Sequence, residues 1–185
     1  MNAIDELLNE HEAVRLALKV LKKISHTIET TGDIADTDDM AHLFEFLKTF
    51  VDQCHHGKEE ELLFPALEKV GISCEGGPVG VMLKEHQQGR DLVIKMKRAW
   101  AQYIEGDADA AGRFKRYSED YIALLNFHID KENNVLFPLA RKHLQDNVLL
   151  ELQVGFDRIE TERVGAGKHE RFHDMLDSFE RIYLR

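Results

Sequence analysis

Cysteine is nearly missing: Cys54 and Cys74 are the two in 185 residues. That is too few for the disulfide framework of a small secreted domain, and a reducing cytoplasm is the expected setting. Proline is equally scarce, with three in the chain, so few positions forbid a continuous helix. No apolar run approaches the roughly 18–20 residues that a membrane-spanning helix requires. The opening stretch MNAIDELLNEHE is acidic and amphipathic and lacks the basic start and apolar core of a secretion signal. Positive charge is in deficit, with 24 Lys and Arg against 34 Asp and Glu and a formal net charge of -10. Such a surface repels a nucleic-acid backbone or an anionic membrane, and neither is expected as a partner.

What remains is an ordinary globular balance, 43% hydrophobic and 31% charged, arranged with helical periodicity. Ile4, Leu7, His11, Val14, Leu18, Leu21 and Ile28 share one face of a helix expected over about 3–30. Leu43, Leu47, Val51, His55, Glu59, Leu62 and Ala66 line a second, about 38–69, which the glycine-rich GISCEGGP ends. A third, about 79–105, turns Val79, Met82, His86, Val93, Met96 and Trp100 inward. A fourth, about 109–144, does so with Phe114, Tyr117, Tyr121, Leu124, His128, Glu132, Val135 and Leu139. The polar linker TTGDIADTDD and the short EGDADA join them. The expected fold is all-α: an up-down-up-down four-helix bundle over 1–145. A helical extension over 146–185, split near VGAGK, would pack on the bundle or form an oligomer contact.

Ten histidines are present, and four of them fall one to a helix on the apolar stripes: His11, His55, His86 and His128. A lone buried histidine is commonly a hydrogen-bonded core residue. Four converging imidazoles need partners that they supply one another only awkwardly, and a shared metal ion removes the difficulty. Two helices add a carboxylate four residues on, His55 with Glu59 and His128 with Glu132, which stacks both groups on one face. Buried carboxylates are costly unless paired or metal-bound.

HHGKEEELLFPALEK and HIDKENNVLFPLARK form a gap-free internal repeat sharing K-E and L-F-P. Its register matches His55 with His128 and Glu59 with Glu132, and periodicity agrees. His56 follows Thr49 and Asp52 on a polar face, so His56 and Glu60 are expected outside the ligand set or facing solvent. Four imidazoles and two carboxylates suit iron or manganese, with zinc also compatible. Two histidines per metal, with Glu59 and Glu132 between, leave open positions for a small oxidant.

These residues resemble the hemerythrin-like (HHE cation-binding) family. Its motif H…H-x3-E…H…H-x3-E matches His11, His55–Glu59, His86 and His128–Glu132, in the contexts EHEAVR, HHGKEEELLFP, KEHQQGR and FHIDKENNVLFP. The resemblance covers about 5–145 and implies a non-haem, carboxylate-bridged pair of iron ions. The oxygen carriers of that family have a fifth histidine one turn after the helix-three histidine, where this chain has Arg90. Arg90, Tyr117 and Tyr121 are the candidates for that place. Arg90 could pair with Glu59, Glu85 or a bound anion, or equally be a plain surface arginine, and the tyrosines are expected first as ordinary core aromatics. KENNVLFP is similar to the iron–sulfur-cluster-repair branch.

The expected function is binding or sensing of dioxygen, nitric oxide or peroxide by a di-iron protein rather than by a dedicated enzyme. The alternatives are an enzyme of peroxide decomposition or iron–sulfur repair, and a metal-poor regulatory module.

Several features are expected to carry no chemistry. His169-Glu170-Arg171-Phe172-His173 has the H-E-x-x-H form of zinc proteases, but twelve residues follow it without a third histidine. Cys54 points about 100° away from His55 on an α-helix. Cys74 sits in the glycine-rich loop. His26, His42 and His143 are expected to be solvated, and the LFP prolines to bend or close their helices.

Overall fold

A computed structural model describes residues 2–32, 36–165 and 167–185, and they form six helices and no strand. Helix α1, Ala3–Thr31, starts at a capping box in which Asn2 and Asp5 satisfy each other's backbone N–H groups. It stops at Gly32, whose φ of 69° is the left-handed conformation open to glycine, with the Gly32 N–H donating to the Ile28 carbonyl. Asp36 caps α2 by accepting from the Asp38 N–H. The centre of the first linker, 33–35, lies outside the described residues.

Helix α2 is one rod over 37–69, and α4 is another over 110–143; both change pitch on the way. Wide π-turns occupy Leu47–His56 and Glu59–Leu63 in α2, and Glu132–Leu136 in α4. Neither Pro65 nor Pro138 closes its helix, contrary to one of the sequence expectations: the rods continue through Phe64–Lys69 and Phe137–His143. A proline has no N–H, and its ring would meet the carbonyl four residues back. The widened turn sidesteps that clash, with Phe64 N–H reaching the Glu59 carbonyl and Phe137 N–H the Glu132 carbonyl, five residues back. Helix α3, Pro78–Ile104, opens on a proline, where the missing N–H costs nothing. Helix α5 covers Asp146–Ile159 and Glu160–Val164, and α6 covers Lys168–Tyr183. No helix among the described residues is long and apolar enough to cross a membrane.

The most extensive packing is between α3 and α4, and α1 lies against α4, α5 and α6. The interior divides into two apolar clusters. One contains Val14, Leu18, Val51, Met96, Phe114, Leu125, Ile129 and Phe172. The other contains Leu7, Leu63, Met82, Leu136, Phe137 and Phe156. Each of the first four helices passes from one cluster to the other, and its histidine stands at the crossing. Leu7, His11 and Val14 follow in that order on α1, and Leu125, His128 and Leu136 on α4. The polar groups therefore form a layer with hydrocarbon above and below.

Helix α6 is held by Phe172, 5% exposed, whose ring meets those of Phe46 and Phe50 edge-on at 5.5 and 6.1 Å. Phe172→Ala leaves a cavity there and should lower stability by about 3–5 kcal/mol. The check is a urea melt, in which the midpoint falls while the slope is unchanged.

Candidate metal centre

The structure brings all six expected residues together. His11, His55, His86, His128, Glu59 and Glu132 are each no more than 2% exposed. The imidazoles meet in two pairs, His11 Nε2 to His55 Nε2 at 3.0 Å and His86 Nε2 to His128 Nε2 at 3.1 Å. The carboxylates span the pairs. Glu132 stands 3.1 Å from His11 Nε2 and 3.2 Å from His128 Nε2. Glu59 stands 3.7 Å from His55 Nε2 and 3.4 Å from His86 Nε2. Two four-residue groups result, His11–His55–Glu59–Glu132 and His86–His128–Glu59–Glu132, each with its donor atoms within 4.8 Å of one another.

Behind every ring lies an acceptor for Nδ1. His11 Nδ1 donates to Asn133 Oδ1 at 2.6 Å, His55 to Glu10 at 2.7 Å, His86 to Glu60 at 2.7 Å and His128 to Glu85 at 3.0 Å. With Nδ1–H so engaged, the neutral ring turns a bare Nε2 lone pair inward. Two such lone pairs 3 Å apart repel, as do buried carboxylates without donors. No hydrogen bond from the described residues reaches any carboxylate oxygen of Glu59 or Glu132. A cationic centre satisfies all of them at once, so the residues fit a pair of metal ions, and nitrogen with bridging carboxylate oxygen suits iron or manganese.

The outer ring was largely invisible to helical periodicity, because its members reach across to other helices. Glu10 precedes His11 but serves His55; Glu85 precedes His86 but serves His128. The signal in the sequence is the repeated E-H-x-x-x-R of 10–15 and 85–90. Lys58 was also missed. Its ammonium is fully buried, with Glu10 at 2.5 Å, Glu6 at 2.6 Å and Glu160 at 3.4 Å. Burial would raise the Glu10 carboxyl, but His55 and Lys58 hold it down at about 2. The equivalent Lys131 pairs with Glu85. His169, from the H-E-x-x-H stretch, has Nδ1 3.1 Å from Glu160 and so stands beside the Lys58 network.

His56 corrects the sequence reading. Glu60 does take an outer place, but His56 is 4% exposed and lies inside. The π-turn explains this. It advances each residue by less than the roughly 100° of an α-helix, so His55 and His56 come round to the interior together. Its ring stacks on His86 with centroids 3.8 Å apart. Arg90 pairs with Asp52 at 2.7 Å and with Glu60 at 2.6 Å. Tyr117 is half-buried beside Lys95 and Arg116. Tyr121 is buried and, with His56, Gly89 and Arg90, lines a cavity of about 380 Å³. Cys54 is packed in the core, where burial pushes its thiol up to about 12, unreactive as a nucleophile.

In the metal-free chain the surrounding carboxylates favour the protonated form of three rings, His55, His86 and His128. Burial would lower His128, but Glu132 and then Glu85 overcome it and push the ring up to about 10. His55 and His86 are raised against the same burial, by Glu59 with Glu10 and by Glu59 with Glu60. A ring whose folded pKa exceeds the ordinary 6.5 stabilises fully below pH 6.5 and loses that contribution as pH rises towards about 10. Thermal melts of the metal-free chain should therefore fall across that window. Metal loading needs the same nitrogens unprotonated, so loading should remove the fall; a flat metal-free profile would show the rings to be neutral.

Glu85→Ala removes the acceptor behind His128. Metal affinity should drop about 10–100-fold with helix content unchanged, measured against a competing chromophoric chelator.

An uncharacterised protein of Mycobacterium tuberculosis strain H37Rv is 21% identical over 181 residues, which is 98% of this chain and 70% of the relative. The iron-sulfur cluster repair protein YtfE of Enterobacter sp. (strain 638) is 35% identical over 89 residues, and that of Salmonella paratyphi B is 37% identical over 90. Each of those two matches spans 46% of this chain and 40% of the relative. Residues 2–140 match the Hemerythrin HHE cation binding domain, and the chain belongs to that family.

Proposed function

We propose that the chain is a non-haem di-iron protein that binds or senses a small oxidant, dioxygen, nitric oxide or peroxide. His11 and His55 would hold one ion, His86 and His128 the other, with Glu59 and Glu132 between them. The observation that carries this is the convergence of four Nε2 lone pairs and four donorless carboxylate oxygens in a layer closed by hydrocarbon on both sides. When bound, two such ions supply redox-active Lewis-acid positions for a small ligand. The protein's part is to fix each ring through its Nδ1 partner, to balance charge through Glu10, Glu60 and Glu85, and to exclude bulk water.

The alternating order in which the first four helices visit the two apolar clusters supports an up-down-up-down path. Division into a bundle over 1–145 and an extension over 146–185 is part of the same reading. The extension would brace the site through Glu160 on Lys58 and Arg163 on Glu61, at 3.4 and 2.7 Å. We place the protein in a reducing cytoplasm, in keeping with its two free cysteines.

A second reading, iron–sulfur cluster repair, draws on the two YtfE relatives. The chain covers less than half of each, and the reading is carried no further than that.

The test is metal analysis of natively purified protein beside a His55→Ala/His128→Ala double variant. About two iron ions per chain are expected, with near-ultraviolet charge-transfer absorption that the double variant lacks. Absence of metal from both proteins, at equal stability, would make the four histidines core residues and end the proposal. If iron is present, reversible spectral change on exposure to oxidant supports binding or sensing; turnover of peroxide or of damaged clusters supports an enzyme.

A further inference from the structure

We propose that His56 is a fifth imidazole ligand, serving the metal position of His86 and His128. The inference rests on the two-metal reading above and makes its two positions unequal.

Three observations carry it. Both ring nitrogens of His56 are buried and find no hydrogen-bond partner among the described residues. An unsatisfied buried polar group costs about 1–3 kcal/mol, so a ring serving only to fill space is poorly placed here. A ring nitrogen of His56 also lies within 4.8 Å of donor atoms of His86 and His128, which themselves lie within 4.8 Å of each other. The ring sits face-on to His86 at 3.8 Å and edge-on to His128 at 5.9 Å. Finally, the position has a hydrocarbon counterpart. In the repeat that pairs His55 with His128, His56 pairs with Ile129 and Asp52 with Leu125. Ile129 is 1% exposed in the core, so packing alone is met by an aliphatic side chain.

Orientation agrees with this role. Asp52 Oδ1 lies 3.7 Å from His56 Nδ1, and Arg90 holds Asp52 at 2.7 Å. His56 thus has a carboxylate on its Nδ1 side, as three of the other four rings do, at a longer distance. The nitrogen ligand missing where Arg90 stands on α3 would come from α2.

The probe is anaerobic titration with Co(II), whose visible ligand-field spectrum reports the number and kind of donors. The wild-type chain should take up about two Co(II). His56→Gln and His56→Ala should weaken the second by at least about tenfold, the scale at which even outer partners of a metal act, and should change its spectrum. The first Co(II) should bind as in the wild type. In the alanine variant added imidazole, admitted through the cavity beside Tyr121, should restore the spectrum. Glutamine occupies similar space, so it decides the matter if the alanine variant loses helix. Wild-type affinity and spectrum for both ions in the variants would overturn this inference alone. Absence of Co(II) binding by the wild-type chain would overturn the two-metal reading and this inference together.

Discussion

Two carboxylates, Glu59 and Glu132, are fully buried and receive no hydrogen bond from the described residues. The organisation of the interior follows from that constraint. An ionised carboxylate in hydrocarbon is stable only when opposite charge surrounds it. In the metal-free chain the carboxylates pull His55, His86 and His128 towards the imidazolium form that supplies that charge, and metal ions would supply it otherwise. Each ring in turn needs an acceptor behind it, and three acceptors are carboxylates. One of these, Glu10, needs Lys58, and Lys58 needs Glu6 and Glu160. Charge alternates outward from the centre until it reaches solvent. The layer works because it is complete: removing one member leaves a neighbour buried and unpaired.

The same logic accounts for the two-fold character of the site. Glu10–His11–Arg15 on α1 corresponds to Glu85–His86–Arg90 on α3, and His55–Lys58–Glu59 on α2 to His128–Lys131–Glu132 on α4. Each half lends one outer group to the other: Glu60 on α2 serves His86 on α3, and Asn133 on α4 serves His11 on α1. Each half satisfies one of its own rings, His55 through Glu10 and His128 through Glu85, but not the other, so the arrangement forms only when all four helices meet. The halves differ in their links. Lys58 is sealed beneath α5, whereas the Lys131 side chain is 40% exposed.

The four long helices and the six inner residues were legible in the sequence because both depend on local spacing. Boundaries expected at 3–30, 38–69, 79–105 and 109–144 fell within a residue or two of the observed ends. The His-x3-Glu repeat fixed which histidine of the 55–56 pair matched His128. Two kinds of information were not legible. Contacts between helices, such as Glu10 with His55, have no period along the chain. Local pitch was the other. The reading assumed 100° per residue throughout α2, and that put His56 on the polar face. Prolines at equal distances after Glu59 and Glu132, Pro65 and Pro138, mark the widened turns Glu59–Leu63 and Glu132–Leu136, but no proline accompanies Leu47–His56, the stretch that turns His56 inward.

The departures from two-fold symmetry cluster on one flank, and this bears on how a small molecule meets the centre. His56 and Asp52 replace the hydrocarbons that Ile129 and Leu125 provide in the other half. The cavity of about 380 Å³ lies on that same flank, walled by Val51, Val93, Ile94 and Tyr121 with Lys48, Arg90 and Lys97 among its lining. A passage that is mostly hydrocarbon favours a small neutral species, because it offers little to replace the hydration of an ion. The three cations oppose a positively charged one. The ligand classes proposed for the centre, a diatomic or hydrogen peroxide, satisfy both conditions and would reach the His86–His128 position first. Symmetry in the charged layer thus holds the carboxylates in place, and under the proposed function asymmetry beside it would determine which metal position faces the entrant.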